Sequence, residues 1–167
     1  MRMLKTVSAT LFTLLISGAP ANAATITPPG PGGAPLPFSA VGTATVGKLG
    51  IDFNCNTVFS GTVDGYGNVR ITSATFKGAT LCRLIKANAS ALAPWTGHVD
   101  TTTQLTLDNV AVTINSPLGG GICGPNKIVA TINDNASETI IGLNAQLSGG
   151  CSINGVLNTS PYLQVKP

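Results

Sequence analysis

The stretch Thr57-Val-Phe-Ser-Gly-Thr-Val63, Asp64-Gly-Tyr-Gly-Asn68, Val69-Arg-Ile-Thr-Ser-Ala-Thr-Phe76 decides the fold class. Two runs rich in Val, Thr, Ile and Phe flank five residues of turn chemistry. That is the signature of an antiparallel hairpin, because β-branched and aromatic side chains pack on a pleated surface while Asp, Asn and Gly accept the turn. Working outward, the same signal recurs. Phe38 to Val46 reads as the strand before it. Ile128 to Ile132 and Thr139 to Leu147 flank a second turn, Asn133-Asp-Asn-Ala136, and the latter strand alternates through Ile141, Leu143, Ala145 and Leu147. Val156 to Val165 supplies a last strand or two. In Leu105 to Asn115 the apolar phase slips from Leu105 and Leu107 to Val110, Val112 and Ile114. A one-residue slip in a period-2 pattern marks a β-bulge near Asp108-Asn109. Leu81 to Leu92 has some helical spacing, but Asn88, Ser90 and Pro94 oppose it, and it reads as strand or irregular. The expectation is one all-β domain over residues 38–167, an antiparallel β-sandwich or Greek-key domain stapled by two disulfides.

The four cysteines stand at 55, 82, 123 and 151, and four cysteines allow three connectivities. Cys55 and Cys82 lie almost symmetrically about the first turn, and Cys123 and Cys151 about the second. Antiparallel hairpins bring such flanking positions together, so the pairs expected are Cys55–Cys82 and Cys123–Cys151. A metal site fits poorly, because no two Cys are close in sequence and the single His is remote. No metal and no cofactor is expected.

Two segments precede the domain. Arg2 and Lys5, an apolar run from Val7 to Ser17, and Ala21-Asn-Ala23 form a secretory signal peptide over residues 1–23, with cleavage after Ala23. The run is shorter than the roughly 20 residues a spanning helix needs. No later stretch qualifies, so no transmembrane segment is expected in the mature chain. An even number of cysteines in an exported chain reads as disulfides, and the localisation expected is secreted and extracellular, with the periplasm or the cell surface as alternatives. Residues 24–37 hold five Pro and three Gly, and read as an extended, mobile tether.

Composition narrows the function. Only 9% of the chain is charged against 43% hydrophobic, where ordinary domains carry roughly 25% charge. Without residues 1–23, seven basic residues face six acids, a net +1. That balance excludes nucleic acid as a partner, since such proteins concentrate Lys and Arg.

Catalytic signals are few. His98 is the sole imidazole, and Asp100 would share its face on a strand, but no Gly-x-Ser-x-Gly or comparable nucleophile motif accompanies them. Asp64 to Asn68 is a hairpin turn rather than a calcium loop, lacking the full ligand series. Gly119-Gly-Gly121 lacks the Lys of a phosphate loop. Trp95, the lone Trp, suits core packing, with a surface contact for carbohydrate or hydrocarbon as the alternative.

Together these residues resemble a bacterial family. The ordered features are the Pro/Gly segment, Phe38-Ser-Ala-Val-Gly42, Phe53-Asn-Cys55, Phe59, Gly61-Thr-Val63, Leu81-Cys82, Pro94-Trp95, Cys123-Gly-Pro125 and Gly149-Gly-Cys151. They are similar to those of the secreted alkane-oxidation protein activators (PraB-like proteins). The resemblance implies an exported protein linked to growth on long-chain alkanes, and it brings no catalytic residues. Three functions follow as expectations. The first is a non-enzymatic protein that promotes hydrocarbon access or surface association. The second is a self-associating structural or adhesive subunit of a surface or biofilm assembly, with Phe38 to Val46 as a donated strand. The third is a secreted hydrolase built on His98 and Asp100.

Overall fold

The computed structural model describes residues 24–117 and 119–167. The proposed signal peptide therefore lies outside the described residues. Eleven strands are formed among them: β1 (Thr25–Thr27), β2 (Leu36–Lys48), β3 (Ile51–Val63), β4 (Asn68–Lys77), β5 (Ile85–Ala87), β6 (Trp95–Thr101), β7 (Gln104–Ile114), β8 (Gly121–Asn135), β9 (Glu138–Leu147), β10 (Cys151–Ser160) and β11 (Gln164–Lys166). A short 3-10 helix at Thr80–Leu84 precedes β5.

The all-β, antiparallel expectation holds, but the sandwich and Greek key do not. Strands β2, β3, β4, β6, β7, β8, β9 and β10 each pair antiparallel with the next, and β10 returns to pair with β2. The closing ladder runs from Cys151↔Lys48 to Ser160↔Ser39. The result is an eight-stranded up-and-down barrel with β5 appended to β7. Among the described residues the barrel strands follow one another round the wall in chain order, without the long return connection that sets a Greek key's fourth strand beside the first of three. Local alternation fixes only which face of each strand turns inward. It does not say whether the first and last strands of a meander meet.

Eight strands enclose an interior just wide enough for side chains to fill. Here it is filled by Phe38, Val46, Phe53, Phe59, Trp95, Leu107, Val112, Ile153 and Leu157, all buried. The outward positions are polar: on β10 they are Ser152, Asn154, Asn158 and Ser160 around Val156. This apolar-in, polar-out pattern is the inverse of a membrane-spanning barrel's.

The bulge read from the slipped phase of β7 is present. Register shifts between Leu107 and Val110, and Asn109 takes φ 62°, a conformation Asn tolerates better than most residues. A second shift at Ser60/Gly61 lets both Ile71 and Phe76 of β4 face inward.

Residues 24–37 do not hang free as a tether. Ala24 and Ile26 are 1% and 0% exposed, and β1 pairs with β11 across one end of the barrel. Ile26 N donates to Gly65 O at 3.2 Å, and Gly65 N donates to Gly33 O at 3.1 Å. A Cβ on Gly65 would sit 1.7 Å from Gly30 O, so this glycine is needed for backbone to pass against backbone. Apolar burial of Ile26 offsets the poor ladder-forming composition around it. The chain past Leu36 is already strand β2, paired on both sides with β3 and β10.

The two disulfides are Cys55–Cys82 and Cys123–Cys151, closing loops of 27 and 28 residues. The first ties the 3-10 helix to β3. The second ties the start of β8 to the start of β10 beside the turn that ends β9. Their presence fits an oxidising compartment.

Candidate functional site

The barrel interior is the first place to look for a ligand, and it is full. The void left at its centre is about 20 Å³, lined only by apolar side chains such as Ile26, Phe59, Leu105 and Leu163. That is about the space of one water, and an apolar void of this size stays dry. Nothing the length of a hydrocarbon chain fits without opening the barrel.

Trp95 belongs to this interior. It is 1% exposed and meets Phe59 edge-on, so the expected alternative of a surface contact is corrected. The reason is register: Trp95 begins β6 opposite Ile71, whose side chain also points inward.

His98 and Asp100 do come together on β6, with His98 Nδ1 3.5 Å from Asp100 Oδ1. The other carboxylate oxygen accepts a hydrogen bond from Thr106 Oγ1 at 2.5 Å. Both side chains are about one-third exposed on the outer wall. Among the described residues no hydrogen bond joins His98 to a serine, threonine or cysteine. The pair thus has the orienting half of a triad on an open wall, without a bonded nucleophile. Asp64 is occupied in its turn, where Oδ1 accepts from Tyr66 N and Asn68 N and Oδ2 from Asn68 Nδ2. Among the described residues no group of three His, Cys, Asp or Glu is placed to hold a metal ion. No described helix is long and apolar enough to cross a membrane.

What remains is the outside. A shallow groove of about 580 Å³ runs beside Arg70, Asn88, Leu92 and Pro125, with Arg70 Nη2 held by Ala91 O. Large apolar side chains stand exposed at Val41, Leu49, Leu92, Ile122, Val129 and Val156. Two of them share one end of the barrel. Leu49 is 72% exposed at the β2–β3 tip and Ile122 is 61% exposed at the start of β8. The turn before β10 links them. Leu49 N donates to Gly150 O at 3.4 Å, and Gly149 packs so close to Ile122 O that a Cβ would lie 2.4 Å from it.

Neither residue stood out in the strand pattern. The available signal was the Leu49-Gly50 dipeptide itself. Lys48 pairs with Ile51, so the loop has two residues, and both take positive φ, 52° and 82°. That is the type I′ geometry, for which Asn-Gly is the favoured pair. A bulky Leu there breaks the local rule.

No curated protein and no solved structure matches the chain. A family model described as alkane oxidation protein activator PraA/PraB-like matches residues 1–167, the whole chain. The cysteine framework and the Gly149-Gly-Cys151 turn that carried the resemblance are those that staple and shape one barrel end, and the chain belongs to the alkane oxidation protein activator PraA/PraB-like family.

Proposed function

We propose that this is an exported, non-catalytic protein that promotes alkane oxidation by associating with hydrocarbon at the oil–water interface. One observation carries the reading. The barrel keeps its apolar interior full, with about 20 Å³ to spare, while several large apolar side chains stand outside. Apolar contact with a water-insoluble substrate is therefore available at the surface rather than in a pocket. Net charge near zero removes the long-range repulsion that would oppose crowding at an interface. The two disulfides suit a protein that works outside the reducing cytosol.

A direct test mixes purified residues 24–167 with hexadecane. The expected result is depletion of protein from the aqueous phase, lowered interfacial tension and slower coalescence of droplets. A protein that leaves all three unchanged would sink the proposal.

The strand-donating assembly is less favoured. Phe38 to Val46 is hydrogen-bonded on both sides within β2, so donating it would require opening the barrel. A hydrolytic role has only the His98–Asp100 pair in its support.

A further inference from the structure

We infer that the protein seats end-on, with Leu49 and Ile122 entering the oil, on hydrocarbon droplets whose surface carries carboxylates. This rests on the interfacial reading above and names the surface and the chemistry it meets.

The first argument is the cost of Leu49. A left-handed backbone is unfavourable for a bulky side chain, and so is exposing one to water. Leu49 does both at once, 72% exposed at φ 52°. Strained, rule-breaking residues concentrate where function requires them. An apolar side chain at an exposed hairpin tip gains free energy only when an apolar phase covers it.

The second argument is the ground around it. Glycines flank both residues: Gly119 and Gly150 lie against Leu49 and Gly149 against Ile122, so backbone without side chains adjoins the two apolar groups. Lys48 lies beneath, 7% exposed, with Nζ donating to Gly149 O at 2.7 Å. Its charge is held under the strip rather than on it.

The third argument is charge. Exposed Lys77, Arg83 and Lys86 close this end of β4, the 3-10 helix and β5, where Asp52 is the acidic neighbour. Asp64, Asp100, Asp134 and Glu138 stand towards the other end, where the β3–β4, β6–β7 and β8–β9 turns lie, and there they outnumber Arg70 and Lys166. A low net charge thus conceals an axis, basic at the apolar tip and acidic opposite. A surface bearing carboxylates among alkyl chains complements both features, and it orients the barrel before contact.

The test uses residues 24–167 with disulfides intact and hexadecane droplets in a neutral surfactant, with or without palmitate. Bound protein is measured after flotation at low and high salt. Wild type should bind palmitate-doped droplets at least fivefold better than undoped ones at low salt, with the preference lost at high salt. Leu49→Asn with Ile122→Thr should reduce binding at least tenfold. Val41→Thr with Val156→Thr, on the barrel wall, should not. Lys77→Gln with Arg83→Gln and Lys86→Gln should abolish the palmitate preference. Circular dichroism melts verify folding, and Asn-Gly is the preferred pair for this turn, so the tip variant is expected to fold. Undiminished binding by the tip variant overturns the end-on inference and leaves the interfacial reading standing. Failure of wild type to bind either droplet overturns both. Equal or stronger binding to phosphatidylglycerol vesicles overturns the assignment to an oil surface.

Discussion

Trp95 meets Phe59 edge-on inside the barrel, with ring centroids 5.5 Å apart and planes at 85°. Such pairs contribute about 0.5–1.5 kcal/mol beyond the area they bury. Trp95 Nε1 is nevertheless a buried donor without a partner among the described residues. An unpaired buried donor costs about 1–3 kcal/mol. Trp95→Ala should therefore destabilise by about 3–5 kcal/mol, the usual range for a buried aromatic. Trp95→Phe should lose far less, because it keeps an edge-on ring and removes the unpaired N–H. Urea denaturation of the two variants checks the difference.

Ile26 stops one end of the barrel, fully buried with Leu163 and Val165. Its removal should open that end. Ile26→Ala is expected to lower stability by about 2–4 kcal/mol and to expose residues 24–35 to limited proteolysis. A variant as stable and as resistant as wild type would show that the segment is only resting on the barrel.

Leu49 separates stability from function. Leu49→Asn places the favoured residue in the type I′ turn and removes strain of about 1 kcal/mol. The melting temperature should rise by a few degrees while adsorption to oil falls. If both fall together, Leu49 is serving the fold instead.

Tyr162 donates its hydroxyl to Asp134, whose other oxygen accepts from Val165 N at 3.0 Å. The hydrogen bond to Asp134, then burial and the negative charge of that carboxylate, raise the Tyr162 pKa above its ordinary 10.0. A raised folded pKa contributes stability that is present below the unfolded value and lost as pH climbs through the folded one. Stability should therefore decline above about pH 10 in wild type. Tyr162→Phe should be less stable at neutral pH and lack this alkaline step. Denaturation midpoints from pH 8 to 12 would show it.

Much of the fold was legible in the sequence because its determinants are local. The slipped phase of Leu105 to Ile114 located the bulge, since a pleated strand shows its inward face every second residue. The symmetry of Cys55 and Cys82, and of Cys123 and Cys151, about two turns anticipated the disulfides, because antiparallel strands return the chain to its start. Asp64 to Asn68 announced a turn by its chemistry.

The rest depended on partners far away in the chain. Residues 24–37 read as a tether because Pro and Gly disfavour a ladder, but only the assembled barrel offers the end into which Ile26 fits. Trp95 could be given a side only once β6 had a register against β4. Leu49 was visible as a residue and invisible as a site, because its two-residue loop is defined by the pairing of Lys48 with Ile51.

By itself, then, the sequence determined strands, turns, disulfides and the absence of strong charge, each set by period, backbone preference or composition. Tertiary structure alone decided that the meander closes. Pairing Cys151 to Ser160 with Ser39 to Lys48 joins segments about a hundred residues apart. No local pattern encodes that contact, and it is what fills the interior and leaves the apolar tip of Leu49 and Ile122 facing out.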